Sequence, residues 1–264
     1  MGTSKGYTMP TGGDWTPLKN EASRFVKNDN ADISSGVNST EHLVNHYINV
    51  LKTSGYGVSG GGAGAFTQKG SGGKGSGGKG GGFGQAAART GQQLGGFLSR
   101  VGEVGLSEAL REIGLSDLIG KSAEEVTIGL TDAFTDPASS LDEEAARVAL
   151  YELNKEVLEN CETFDQIEES LKNVLDEPGI IKTIVNFFGK YIYRIFCRDF
   201  YEGWQKKVGA EQAKQKLDDV KGYIRSSTRN RFVGETTYKN WAKDEGLRAS
   251  EQILKDTIDI FEVA

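Results

Sequence analysis

The sequence predicts an all-α protein, an irregular helical bundle with a flexible N-terminal tail and a Gly/Ser/Lys-rich internal linker. Three observations carry this expectation. Apolar residues recur at helical spacing over most of the chain, and no stretch alternates as a half-buried strand would. Three S/T-x-x-E/Q capping boxes, Ser122 with Glu125, Ser140 with Glu143 and Thr163 with Gln166, each precede such a periodic run. The 36 glycines among 264 residues are not spread evenly, because 16 of them fall within residues 55–84.

Taken in order, residues 1–15 mix Gly, Thr, Ser and one Pro without a period and read as an extended tail. Thr16-Pro17 has the form of an N-cap followed by proline at the first helical position, where the missing N–H costs nothing. Leu18, Ala22, Phe25 and Val26 then give one apolar face to about Lys27. A second helix is expected over residues 41–52 with Leu43, Tyr47, Ile48 and Leu51 on one side. These two form an N-terminal segment, residues 16–54. Residues 55–84 contain a Lys-Gly-Ser-Gly-Gly repeat, whose lack of apolar surface leaves nothing to offset backbone ordering, so a linker is expected there.

The remainder, 85–264, reads as a helical domain. It begins with a Gly-interrupted helix over 85–100, then short pieces over 107–113 and 115–119. The three capped helices follow, and Asp176-Glu177-Pro178-Gly179 stops the third. A long aromatic helix to about Trp204 comes next, and helices over 211–225 and 248–261 close the chain. The most apolar stretch, residues 180–204, carries Lys182, Lys190, Arg194, Arg198 and Asp199, which suits a buried helix and not a membrane span. The net charge of −6 argues against a polyanion binder as a whole, and 37% hydrophobic residues are enough for a core. With no secretory signal pattern and two cysteines that look unpaired, the expected location is cytoplasmic, with no membrane partner.

Catalytic constellations are scarce, and the chain is expected not to be an enzyme. Gly114 to Lys121-Ser122 imitates a phosphate loop, but five residues separate its glycines where a Walker A motif has four, and Ser122 is explained as a helix cap. His42 and His46 have the i, i+4 spacing of metal ligands without the internal glutamate of a metalloprotease motif. Cys161 and Cys197 fall on apolar faces as core residues. Neither a metal nor a cofactor is expected. One segment, residues 205–243, holds ten Lys/Arg against four Asp/Glu, interleaved with Tyr223, Phe232, Tyr238 and Trp241. Lys221, Arg225, Arg229 and Arg231 are its candidate contacts for nucleic acid. Such a charge asymmetry also suits steering between proteins.

The N-terminus holds the other candidate. Gly2 is small enough for Met1 to be removed, exposing an α-amine with a pKa of about 7.7–8.0, against about 10.4 for lysine. More of it is therefore neutral and nucleophilic at pH 7. Thr3, Ser4, Lys5 and Gly6 are small or slender enough to enter a narrow cleft. The start MGTSKGYTMPTGGDWTPLKNE, followed by two helices, a Gly/Ser/Lys-rich linker and a helical remainder, resembles the QatB family. Its members are accessory proteins of the bacterial Qat antiphage defence system.

That resemblance implies an ATPase, a QueC-like enzyme and a TatD-like nuclease as partners. It also implies that the Gly2 amine takes the place of ammonia in a QueC-type reaction. The product is then an amide to a 7-deazaguanine, the single covalent adduct expected. On this chain it makes Gly2 the acceptor and Thr3, Ser4 and Lys5 contacts of the partner's cleft, with Trp15-Thr16-Pro17-Leu18-Lys19 as the anchor where order begins. Two other roles stay open: a nucleic-acid-binding adaptor using residues 205–243, and a helical scaffold between the ATPase and the modifying enzyme.

Overall fold

The structure is a computed structural model that describes residues 9–10, 12–27, 39–53, 83–137, 140–176, 179–232 and 241–262. Among these, every regular element is helical. In chain order they are α1 (Trp15–Lys27), α2 (Ser39–Thr53), α3 (Gln85–Val104), α4 (Leu106–Glu112), a 3-10 turn (Ser116–Leu118), α5 (Ala123–Phe134), α6 (Leu141–Leu158), α7 (Phe164–Asp176), α8 (Gly179–Val208), α9 (Ala210–Arg231) and α10 (Lys243–Asp259).

α8 is the central strut, 30 residues and so about 45 Å long. It packs against α9, α6, α3, α10, α1 and α7. Its apolar residues face several neighbours at once, which explains why they do not form a single stripe. Its basic residues are paired outward: Lys190 with Glu156 at 2.5 Å and Arg194 with Glu152, both carboxylates from α6. Among the described residues, no helix is long and apolar enough to cross a membrane.

Local signals set most helix starts. At Ser122, at Ser140 and at Thr163 both halves of the capping box are made, the hydroxyl accepting the N3 amide while the N3 side chain accepts the N-cap amide. Gly120, with φ 76°, and Ser122 lead into α5 as a cap, and Lys121 pairs with Glu125 at 3.3 Å. The segment before them is the 3-10 turn and not a strand, so the arrangement of a phosphate loop is absent from it.

Three local expectations are corrected. α1 begins at Trp15, so Thr16 and Pro17 lie inside its first turn, where N–H groups have no intrahelical acceptor anyway. Cys161 lies in the turn after α6 and not on a helix face, with its thiol 3.5 Å from the Gln166 carbonyl. α9 runs on to Arg231, past the expected end at residue 225. The polar run Ser226-Ser227-Thr228 shows no apolar period, yet Ser227 and Thr228 are buried and the Thr228 hydroxyl donates to the Ile224 carbonyl at 3.0 Å.

The two N-terminal helices share the core of the remainder. Trp15 meets Tyr47 edge-on, Tyr47 meets Phe196 and Phe200 of α8, and Phe25 packs on Trp204. Lys52 of α2 pairs with Asp259 of α10 at 2.8 Å. Most of residues 55–84 lie outside the described set, but Phe83 and Gly84 are firmly held. Phe83 is buried against Tyr191, and the Gly84 amide donates to the Asp142 carboxylate and the Tyr191 hydroxyl, each at 3.0 Å. The Ala86 amide donates to the other Asp142 oxygen at 2.9 Å. A carboxylate from α6 therefore caps the N-terminus of α3, which its own sequence leaves uncapped.

Candidate functional site

Gly2, Thr3, Ser4 and Lys5 lie outside the described residues. What the structure describes is the point where their segment joins the body. Met9 is half-buried against the core, and Lys19, one turn into α1, donates from Nζ to the Pro10 carbonyl at 2.7 Å. The turn through Gly12 to Asp14 is closed by the Trp15 amide donating to the Gly12 carbonyl at 3.0 Å. Trp15 is then 4% exposed.

From Trp15 a buried chain of contacts runs inward. The Tyr47 hydroxyl donates to Asp199 Oδ2 at 2.6 Å, and Arg198 holds the same carboxylate at 2.8 and 3.2 Å. The root of the N-terminal segment is thus tied through α2 to α8. Beside it, α1 and the C-terminal half of α8 enclose a cavity of about 280 Å³ whose walls include Met9, Lys19, Trp204 and Lys207.

His42 and His46 do lie on one face of α2, but that face meets Glu21 of α1. The two Nδ1 atoms stand 2.6 and 2.5 Å from the two carboxylate oxygens. An ionised carboxylate only accepts, so each ring donates through Nδ1. Burial raises the Glu21 pKa, and the hydrogen bonds and charges of His46 and His42 outweigh that, so its carboxyl is held below the usual value. The pair is a clamp between α1 and α2. Among the described residues, no group of three or more His, Cys, Asp or Glu could hold a metal ion.

Cys197 is half-buried beside Tyr193, and burial pushes its thiol up, the opposite of what a reactive thiolate needs.

The four basic candidates for nucleic-acid contact are largely committed elsewhere. Arg225 pairs with Glu156 at 3.2 Å and Arg231 with Glu41 at 3.1 Å. Lys221 lies over the Tyr193 ring, 5.6 Å from its centre. Arg229 is exposed and has no ion-pair partner among the described residues. The aromatics of the same segment are turned inward: Trp241 is 6% exposed, Phe232 is packed on the core, and the Tyr223 hydroxyl donates to Asn45 at 3.1 Å. Tyr238 lies outside the described residues. No stacking platform is therefore assembled from Tyr223, Phe232 and Trp241.

Sequence reasoning missed Glu21 and Lys207. Their partners are distant in the chain, and neither residue belongs to a spaced motif. The one legible signal was the Lys206-Lys207 pair at the end of the aromatic helix.

The described residues define a class: an all-α body that ties the root of its N-terminal segment to a central helix. The chain belongs to the QatB family, matching over residues 61–261 the family described as Qat anti-phage system associated protein QatB. It is thereby a component of the Qat anti-phage system, with partners inside that system. The matched span holds α3 to α10 and leaves out α1 and α2. No curated protein and no solved structure matches the chain.

Proposed function

We propose that this protein serves its defence system as the acceptor of a group transfer and not as a catalyst. The Gly2 amine, freed by removal of Met1, is joined to a 7-deazaguanine by a QueC-like partner. In that reaction the partner activates the carboxylate of a 7-carboxy-7-deazaguanine with ATP, forming an acyl adenylate and releasing pyrophosphate. The neutral amine attacks the acyl carbon, AMP departs, and the amine loses a proton as the amide forms. The acceptor has to supply an unhindered amine with a low pKa and enough chain to reach another enzyme's cleft.

The observation that carries this reading is the fixed root at Met9, Pro10 and Trp15. Six residues lie between Gly2 and Met9, so seven residue-to-residue steps give a covalent reach of at most about 25 Å at roughly 3.5 Å per step. That is enough to bring the amine into a partner's active site while the helical body stays outside. Family membership supports the same reading by placing the chain among the components of the defence system.

The test is the mass of the N-terminal peptide, residues 1–19, isolated from cells that carry the whole system. The expected result is loss of Met1 together with an added deazaguanine acyl group, and strong reduction of that adduct in Gly2→Ala with Met1 still removed. A peptide showing only Met1 loss in cells with the full, active system would overturn the proposal.

A further inference from the structure

The short connection between Gly2 and Met9 limits where an enzyme that modifies Gly2 can stand. Its reacting carbon must come within about 25 Å of Met9, and any depth of the enzyme's cleft is taken from that reach. The enzyme's own surface is therefore brought against the part of the body that surrounds the root.

That part is basic. Met9 shares its surroundings with Lys19, Ser23, Gly203, Lys206 and Lys207. On α1, Lys19, Ser23 and Lys27 follow at i, i+4 and i+8 and form one row along the helix. The Lys207 ammonium donates to the Ser23 hydroxyl in the middle of this row, which lays the basic end of α8 beside it. Lys27, Lys206 and Lys207 are exposed.

The carboxylates of the region do not balance these charges. Glu21 is the one acidic residue of α1, and it is held by His42 and His46 on another side of the helix. Asp199 is buried and committed to Tyr47 and Arg198. Asp14, just before α1, accepts from the Thr53 hydroxyl of α2 at 3.2 Å. Glu202 faces Lys206 at 3.9 Å across open surface, where water screens both. Lys19, Lys27 and Lys207 meet no carboxylate among the described residues.

We propose, resting on the acceptor reading, that the surface formed by Lys27 of α1 and Lys206 and Lys207 of α8 docks an acidic patch of the enzyme that modifies Gly2. Charge complementarity and the short reach name the same occupant. A few exposed cations on a chain of net charge −6 suit a local acidic patch on a protein better than a long polyanion, most of whose phosphates would meet the acidic remainder. None of these side chains takes part in forming the amide. Docking through them steers the encounter and holds the enzyme beside the root, which is the work of complementary charges at an interface rim.

The test uses the purified full chain with Met1 removed and the QueC-like enzyme of the same system, supplied with ATP and 7-carboxy-7-deazaguanine. Adduct formation is followed by intact mass. Lys27→Glu, Lys206→Glu and Lys207→Glu should each raise KM severalfold, and together about tenfold or more, with kcat changed by less than about twofold. The thermal midpoint of the triple variant should match the parent's, since all three positions are exposed. The difference in KM should shrink between about 0.05 and 0.5 M salt. Arg229→Glu makes the same change in net charge about 28 Å along α9 from its start, and should leave KM as it is. A parent chain that is never modified would sink the acceptor reading, and this inference with it. A parent that is modified, with an unchanged KM in the triple variant, overturns the docking surface alone, whether or not that variant loses affinity for duplex DNA. An equal rise in KM from Arg229→Glu also overturns it, because net charge and not this surface would then be responsible.

Discussion

Glu21 shows how a single side chain joins two helices that no local signal connects. His42 and His46 are visible in the sequence as a spaced pair, which invites a metal. The structure gives them a carboxylate from another helix instead. Because the folded Glu21 carboxyl is held below its ordinary value of 4.5, the ionised form is favoured by folding. Its contribution to stability is therefore complete above the unfolded pKa and is lost as pH falls through the lower, folded one. Glu21→Gln should have a lower urea midpoint than the parent at pH 7, and the gap should narrow steadily below about pH 4.5 until the two converge. A gap that stays constant down to pH 3 would show that the clamp is not an ionic one. The aromatic residues of this region tell a similar story. Tyr47 was legible as an apolar position, but its bond to Asp199 needed α8 to be in place.

Between elements, close packing explains features that sequence reading took for weakness. α3 reads as a helix interrupted by glycines, and at Gly91 and Gly95 those glycines are where other parts of the chain approach closely. A methyl group at Gly95 would lie 2.4 Å from the Trp241 ring, and one at Gly91 2.5 Å from the Ser250 hydroxyl. Gly246 of α10 is tighter still, 2.1 Å from the Trp241 carbonyl oxygen. Gly95→Ala should therefore destabilise the fold by about 1–3 kcal/mol through overpacking, despite alanine's better helix propensity. Gly203→Ala, with nothing within 4 Å, should be neutral or stabilising. Thermal melts of the two variants, side by side, check the contrast. The capping boxes at Ser122, Ser140 and Thr163 were readable in advance because both partners lie within one turn. The cap that Asp142 supplies to α3 was not, because its partner lies on another helix.

Across the whole molecule, the unexpected feature is that the chain's two ends of the linker region share one core. Residues of α1 and α2 bury themselves on α8 and α9, and Lys52 reaches α10. A protease site placed between residues 54 and 82 offers a direct check. After cleavage, the piece carrying α1 and α2 should stay bound and co-elute with the rest in size-exclusion chromatography. Separation into two species in native buffer would mean that this packing is too weak to hold without the covalent connection. The same packing fixes the root of the segment that carries Gly2, so the acceptor reading depends on α1 staying docked.

By itself the sequence determined the all-α class, most helix limits and the local caps, since hydrophobic period and capping chemistry act within a few residues. It also singled out Gly2, because an amine's nucleophilicity depends on its own chemistry and that of its immediate neighbours. Only the tertiary structure decided that His42 and His46 grip a carboxylate, that Arg225 and Arg231 are spent on Glu156 and Glu41, and that Lys19 and Lys207 face one cavity. In each case the charge that sets a residue's role comes from a different helix. Such partners are brought together by burying apolar faces, which fixes which helices meet but leaves no mark on the spacing of the charged residues they carry.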